Sequence, residues 1–426
     1  MRRIYNIKFD RHPAVIVHCT SVGDVRHAVT FARDHAVPLS VRCGGHSYAG
    51  YGLNDGGVVI DLSGLRSITV ASNRKSVCVG GGTLVGAIDA TTAPLGLATV
   101  LGQCPSVGIG GYTLGGGVGP LMSEYGLSCD NLLSADLVLA DGSIVTASTD
   151  ENSDLFWAIR GGGGNFGVAT SLTLKLHKVT NVLGGDLVFR ADQPGKLLRA
   201  FQAYAKGVPD ELTLIAEFVP GQGGKPIFVV QACYVGDEAN GKRVLAPLRA
   251  SPFLVADTVI WQPYLKLQQS TPGDIPPQMH ENRGGLFADM NDQVIARMTQ
   301  MLATAPANFM FSFIHTHGAV TRVAPAATAC AFRRKGWGWS LSGFWQSPAD
   351  RESVTAWVKT SAAALAPFGA GAYVNVMDAE DDTAVRAAYG QNYSRLAVLK
   401  QKYDPSNLFA LNQNIKPQSQ RRRSRG

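Results

Sequence analysis

The sequence predicts an α+β protein: a glycine-loop domain followed by a second domain built on an antiparallel sheet. Three observations carry that expectation. The chain has 426 residues, 45% of them apolar, too many for one small core and too apolar for disorder. The first 180 residues combine many short strands with glycine-rich loops. From about 184 to 385 glycine thins and strands alternate with helices, the pattern of an antiparallel sheet covered on one face. The expected divisions are 1–182, 183–384 for the antiparallel-sheet domain, 385–418, and 419–426 for a disordered basic tail.

Val15–His18 reads as a strand. A helix opens near Ser21 and Asp24, carries Ala28, Val29 and Ala32 on its apolar stripe, and ends before Pro38. Leu39–Arg42 is a strand that runs into the loop Cys43-Gly-Gly-His46-Ser-Tyr-Ala-Gly50, and Val58–Leu62 is the next strand. Residues 67–80 read as a hairpin around Ser72-Asn73, and a helix follows Gly80-Gly-Gly-Thr83 as far as Pro94. Glycine dominates 102–119. Leu132–Ala140 and Ile144–Ser148 flank Asp141-Gly142, a hairpin signal. Ser153 caps a short helix through Trp157, and Val168–Lys178 alternates as a long strand. Further along, Phe228–Tyr234, Phe309–His317 and Trp337–Trp345 read as strands, 293–304 and 350–366 as helices. A last helix over 384–403 ends at Asp404-Pro405.

Composition excludes several classes. No apolar run approaches membrane-spanning length, and no amino-terminal leader is evident, which points to the cytoplasm. The net charge is +7, with four positive charges at Arg421, Arg422, Arg423 and Arg425. The body is then nearly balanced, and specific nucleic-acid binding is not expected. The seven cysteines (19, 43, 78, 104, 129, 233 and 330) are dispersed without a C-x-x-C, so neither a disulfide framework nor a zinc site is suggested. Nothing in the sequence specifies an oligomeric state.

Three loops, 44–50, 108–119 and 161–167, are rich enough in glycine for backbone N–H groups to approach a phosphate. The third holds a formal G-x-G-x-x-G over Gly162–Gly167. A strand follows it rather than a helix, so a Rossmann domain is rejected. Two reactive side chains accompany the loops: His46 in the first and Cys104 just before the second. Each alone is unremarkable. Together, on loops of phosphate-binding character, they suit a dinucleotide whose ring system reaches both.

Val41-Arg-Cys-Gly-Gly-His46-Ser-Tyr-Ala-Gly50 resembles the flavin-linking loop of the berberine bridge enzyme-like FAD-linked oxidases. Gly102-Gln-Cys104-Pro-Ser-Val-Gly-Ile-Gly-Gly-Tyr-Thr-Leu-Gly-Gly-Gly117 resembles their second linking segment. Tyr125–Asn131 and Arg160–Gly167 follow in the family's order, and Tyr389–Leu396 and Tyr403–Asn414 resemble its carboxy-terminal signature. The family's opening segment usually extends upstream of what is here Met1–Asn6.

The resemblance implies a two-part FAD-binding domain of the PCMH type, 1–182 with 385–418, and FAD bound covalently, through the 8α-methyl to His46 and through ring carbon 6 to Cys104. It places Arg42, Gly44, Gly45, Ser47 and Gly50 at the flavin from the first loop. Val107, Gly108, Gly110, Gly111, Thr113, Gly115 and Gly116 would approach from the second, Gly167 and Val168 from the third, and Asn412 and Asn414 from the end of the chain. The implied reaction takes a hydride from an alcohol, sugar or secondary metabolite and passes the electrons to O2, giving H2O2. In resembling enzymes the residue three after the linking cysteine gates oxygen, and here it is Val107.

Trp261, Tyr264, Arg333, Trp337, Trp339 and Trp345 are candidates to line the substrate side, or else to fill a core. The family's proton acceptor occupies the fourth place of Y-x-N-Y-x-D. This chain reads Tyr373-Val-Asn375-Val376-Met-Asp378, and valine takes no proton. On a strand Tyr373 would face away from that site. Tyr393 is the expected substitute, because its signature should lie near the ring; the alternatives are a base at another position or hydride transfer without one. Alternatives are a dehydrogenase with a non-oxygen acceptor, a flavin binder without turnover, a serine hydrolase built on Ser47, and a metal shared by His315 and His317 with no third ligand evident.

Overall fold

The first helix shows how literally the local signals are obeyed. Ser21 Oγ accepts the Asp24 N–H at 3.1 Å and the Asp24 carboxylate accepts the Ser21 N–H at 2.9 Å, a reciprocal cap that opens Val22–Asp34. Val25, Ala28, Val29 and Ala32 turn inward. They cover a three-stranded parallel sheet in the order Val15–His18, Val58–Asp61, Leu39–Arg42. The molecule is a computed structural model that describes residues 2–270, 276–369, 371–379 and 382–418. The expected basic tail, 419–426, lies outside those residues.

A five-stranded antiparallel sheet follows, in the order Ile68–Val70, Ser76–Gly80, Val168–Lys175, Leu132–Val138, Ile144–Ser148. Its inner face shares one apolar cluster with Ile109, Leu114 and the closing helix Tyr393–Tyr403. The second large sheet has eight antiparallel strands. Asn181–Arg190 carries Leu254–Asp257 and Ile260–Pro263 on one side. Beyond it come Pro226–Tyr234, Leu212–Pro220, Phe309–Thr316, Gly336–Trp345 and Met279–Phe287. Helices Pro194–Ala205, Glu238–Arg249, Asp292–Leu302 and Arg351–Leu365 cover one face, burying Leu214, Phe218, Phe228, Phe311 and Phe313. Among the described residues no helix is long and apolar enough to cross a membrane.

Four local expectations need correction. The glycine-dominated stretch contains a helix, Ile109–Leu114. Asn152, at φ 47°, precedes the helix Ser153–Ile159, and no side chain caps it. The helix expected over 384–403 is two helices, Asp382–Tyr389 and Tyr393–Tyr403, joined by a 3-10 turn at Gly390–Asn392. Residues 374–376 form a 3-10 turn rather than a strand, so the alternation argument for Tyr373 does not apply.

The chain's end returns to the third glycine loop through a fully buried ion pair. Lys400 Nζ donates to the Asp404 carboxylate (2.7 Å) and to the carbonyls of Asn165 (2.7 Å) and Phe409 (3.0 Å).

Candidate functional site

Glycine places the two nucleophiles. A Cβ on Gly44 would clash with the Ser106 carbonyl and the Gly108 amide, and one on Gly108 would clash with Cys43 and Gly44. The two loops therefore touch backbone to backbone, an approach only glycine permits. His46 and Cys104 consequently face one cleft of about 450 Å³, within the ~300–1,000 Å³ common for small-molecule sites.

Between them lies Ser106, which the sequence did not single out. Its Oγ is 2.9 Å from His46 Nε2 and 3.5 Å from Cys104 Sγ. The Tyr5 ring stacks on His46 with centroids 5.2 Å apart. Tyr5 is held by its own backbone, donating to the Gly45 carbonyl and accepting from the Gln278 N–H, each at 2.9 Å. Burial lowers the His46 pKa to about 4, so the imidazole is neutral at neutral pH and keeps a lone pair. Burial, with a smaller effect from Cys104, pushes the Tyr5 phenol up.

Of the residues expected from the sequence, Arg42, Gly44, Gly45, His46, Ser47, Cys104, Val107, Gly108, Gly110, Gly111, Gly167, Val168 and Asn412 line the cleft. Arg42 is fixed by Asp61 (2.8 Å) and the Arg3 carbonyl (2.9 Å).

Gly50, Thr113, Gly115, Gly116 and Asn414 are not in the wall. Gly50 has φ +66° and fits beneath Phe9. Thr113 Oγ1 bonds the Ser128 hydroxyl at 2.9 Å. Gly115 and Gly116 leave room for Asn375 and Tyr373, which do line the cleft. Asn165, also in the wall, donates to the Gly162 and Gln413 carbonyls and accepts from the Ile415 N–H. Its signal was the quoted 160–167 motif.

Tyr393 is a correction. Its hydroxyl accepts the Lys416 N–H at 3.4 Å, its ring lies under Arg386, and it is not in the wall. Val376 does line the cleft, and so does Tyr373. The Tyr373 Oη accepts the Gly117 N–H and an Asn375 amide hydrogen, each at 2.8 Å. Burial raises its pKa.

The expected aromatic lining is core instead. Trp337 and Trp339 belong to the helix-covered cluster and Trp261 packs against it. Tyr264 and Trp345 are buried, and Arg333 is bound to Asp130. His315 and His317 stack on each other, and Trp337 lies tilted against His315, away from the cleft. Ser47 Oγ accepts the Tyr51 N–H in a turn, with no helix following, so a nucleophile elbow is absent there.

The family described as FAD binding domain matches residues 13–148, and the one described as berberine and berberine-like matches 372–416. An uncharacterised FAD-linked oxidoreductase of Bacillus subtilis is 32% identical over 421 residues, 97% of this chain and 93% of that protein. The 6-hydroxy-D-nicotine oxidase structure from Arthrobacter nicotinovorans superposes with a TM-score of 0.88 at 29% identity, covering 98% of this chain and 95% of that one. Glucooligosaccharide oxidase from Acremonium strictum, with 6-S-cysteinyl, 8α-N1-histidyl FAD, gives 0.89 at 25% identity, covering 98% and 94%. With its glycine loops meeting in one cleft and these relatives spanning nearly its full length, the chain belongs to the berberine bridge enzyme-like family of FAD-linked oxidoreductases.

Proposed function

We propose that the protein is a bicovalent FAD oxidase, with the flavin bonded to His46 Nδ1 and Cys104 Sγ and dioxygen as electron acceptor. The observation that carries this is the pair of nucleophiles facing one cleft across Ser106. The cleft wall fits the cofactor. Space beside Gly111 and Gly164 is open where a Cβ would project, so their backbones are approachable by a phosphate or ring. Buried Arg42 Nε and Asn412 Oδ1 lack protein partners, and both residues face the cleft. Covalent linkage of both kinds in the Acremonium enzyme supports the assignment.

When bound, FAD supplies hydride acceptance and electron transfer. The chain's residues supply position and proton handling. His46 is neutral and Nε2 is occupied by Ser106, which leaves Nδ1 for the flavin. Residues 1–182 with 385–418 would hold the cofactor, and 183–384 would cover the substrate, an alcohol, sugar or secondary metabolite. Nicotine- and sugar-oxidising relatives keep that class broad. Tyr373 takes the place of Tyr393 as the polar group beside the ring in this reading: two donors fill the lone pairs of its oxygen, burial keeps the phenol protonated, and its O–H is left to hydrogen-bond a substrate oxygen.

Acid precipitation tests the assignment. The pellet should stay yellow, His46→Ala and Cys104→Ala should each retain one link, and the double variant should release flavin. Colour leaving wild type with the supernatant would refute it.

A further inference from the structure

Ser106 Oγ contacts both nucleophiles of the cleft. Its backbone is fixed on both sides. The Ser106 carbonyl abuts Gly44, and the neighbouring Pro105 and Val107 carbonyls accept the N–H groups of Gly86 (3.1 Å) and Val85 (2.9 Å). The Cα of Ser106 is therefore set by the fold, and χ1 selects the rotamer that puts Oγ between the two nucleophiles.

A serine hydroxyl has one proton and two lone pairs, so its two contacts are not independent. In one arrangement Cys104 Sγ–H donates to Oγ and Oγ–H donates to Nε2. The proton of neutral His46 is then on Nδ1, and neither side chain is nucleophilic. In the other, His46 Nε2–H donates to Oγ and Oγ–H donates to Sγ. The lone pair is then on Nδ1, and sulfur is held as thiolate, the reactive species. Passing from the first to the second shifts protons one place along Sγ, Oγ and Nε2 and releases the Nδ1 proton to water. The group then carries one negative charge, on sulfur.

We propose that Ser106 is the positioning residue for covalent flavin attachment, its single hydroxyl setting the His46 tautomer and holding the Cys104 thiolate together. This rests on the bicovalent assignment above. It explains how two unlike nucleophiles become competent in one site: they share one proton chain. Each link would replace one C–H bond of the flavin, at the 8α-methyl or at ring carbon 6, by a C–N or C–S bond; the proton would leave to solvent and the two electrons would stay on the flavin until dioxygen, the acceptor proposed above, takes them as H2O2.

The test is peptide mass spectrometry of wild type, Ser106→Ala and Ser106→Thr. Wild type should carry both links on one flavin. Ser106→Ala should lower the doubly linked fraction about tenfold, as for loss of a hydrogen bond to a charged partner. The missing Cys104 link should recover when the purified variant is held at pH 9 instead of 7, because solvent base then makes the thiolate. A purely structural role would not give that recovery. Ser106→Thr keeps the hydroxyl and should restore both links. Full double linkage in Ser106→Ala at pH 7, or a loss that neither threonine nor pH 9 reverses, overturns the proposal. If Ser106→Ala holds no FAD, the threonine variant decides: doubly linked supports the role, flavin-bound but unlinked refutes it. Wild type without both links refutes the bicovalent assignment itself.

Discussion

Val107 donates its N–H to the Cys104 carbonyl at 3.1 Å while its side chain lines the cleft. Its bulk is thus held beside the position where Cys104 would meet the flavin. A leucine there adds a methylene on the path that oxygen would take. Val107→Leu should slow reoxidation by air about tenfold, ~1.4 kcal/mol of barrier, measured by anaerobic reduction followed by mixing with oxygen. Equal rates would remove Val107 from that path. Tyr373→Phe should lower the rate of anaerobic flavin reduction by about tenfold, as for loss of one hydrogen bond to the reacting oxygen, with little change in substrate Kd. A change in Kd alone would make Tyr373 a binding residue. The Tyr373 site was hidden in the sequence because its segment is a 3-10 turn, where odd and even positions do not face opposite ways. Tyr5 was hidden for a different reason: it reaches the site by pairing with Gln278, far along the chain.

Elements with clean periodicity were legible, and those interrupted by glycine or proline were not. The capped helix Val22–Asp34 and strand Leu39–Arg42 follow their patterns closely. Strands Asn181–Arg190 and Met279–Phe287 went unread because Gly184, Gly185, Gly284 and Gly285 blank their alternation. Pro247 similarly masks the helix Glu238–Arg249, where it lies near the carboxy-terminal end. Glycines 110 and 111 disguise Ile109–Leu114, whose Ile109 and Leu114 are nevertheless core residues. The closing helix depends on the buried Lys400–Asp404 pair. Asp404→Ala strands the Lys400 charge and should cost about 3–5 kcal/mol. Lys400→Met with Asp404→Ala should cost less. Denaturant unfolding that ranks the double variant below the single one would contradict this.

At the scale of the whole molecule, the two sheets' domains meet where Asp89 of helix Val85–Thr92 accepts from Gln268 Nε2 at 2.9 Å. Burial raises the Asp89 pKa to about 7, above the ~3.9 of an unfolded aspartate. A raised folded value favours the protonated form. Its contribution is whole below about pH 4 and is lost as pH rises through about 7. Wild type should therefore lose Tm between pH 5 and 8 relative to Asp89→Asn. Parallel Tm curves for the two proteins would show that Asp89 does not titrate in that window.

Asn165, which lines the cleft from the third glycine loop, is tied to residues 413 and 415, and Asn412 completes the same wall. The cleft wall thus runs from Tyr5 to Gln413. A chain cut before residue 412 would keep His46 and Cys104 but leave the wall open beside them, and loops left that loose order around a ligand only at the cost of their own conformational freedom.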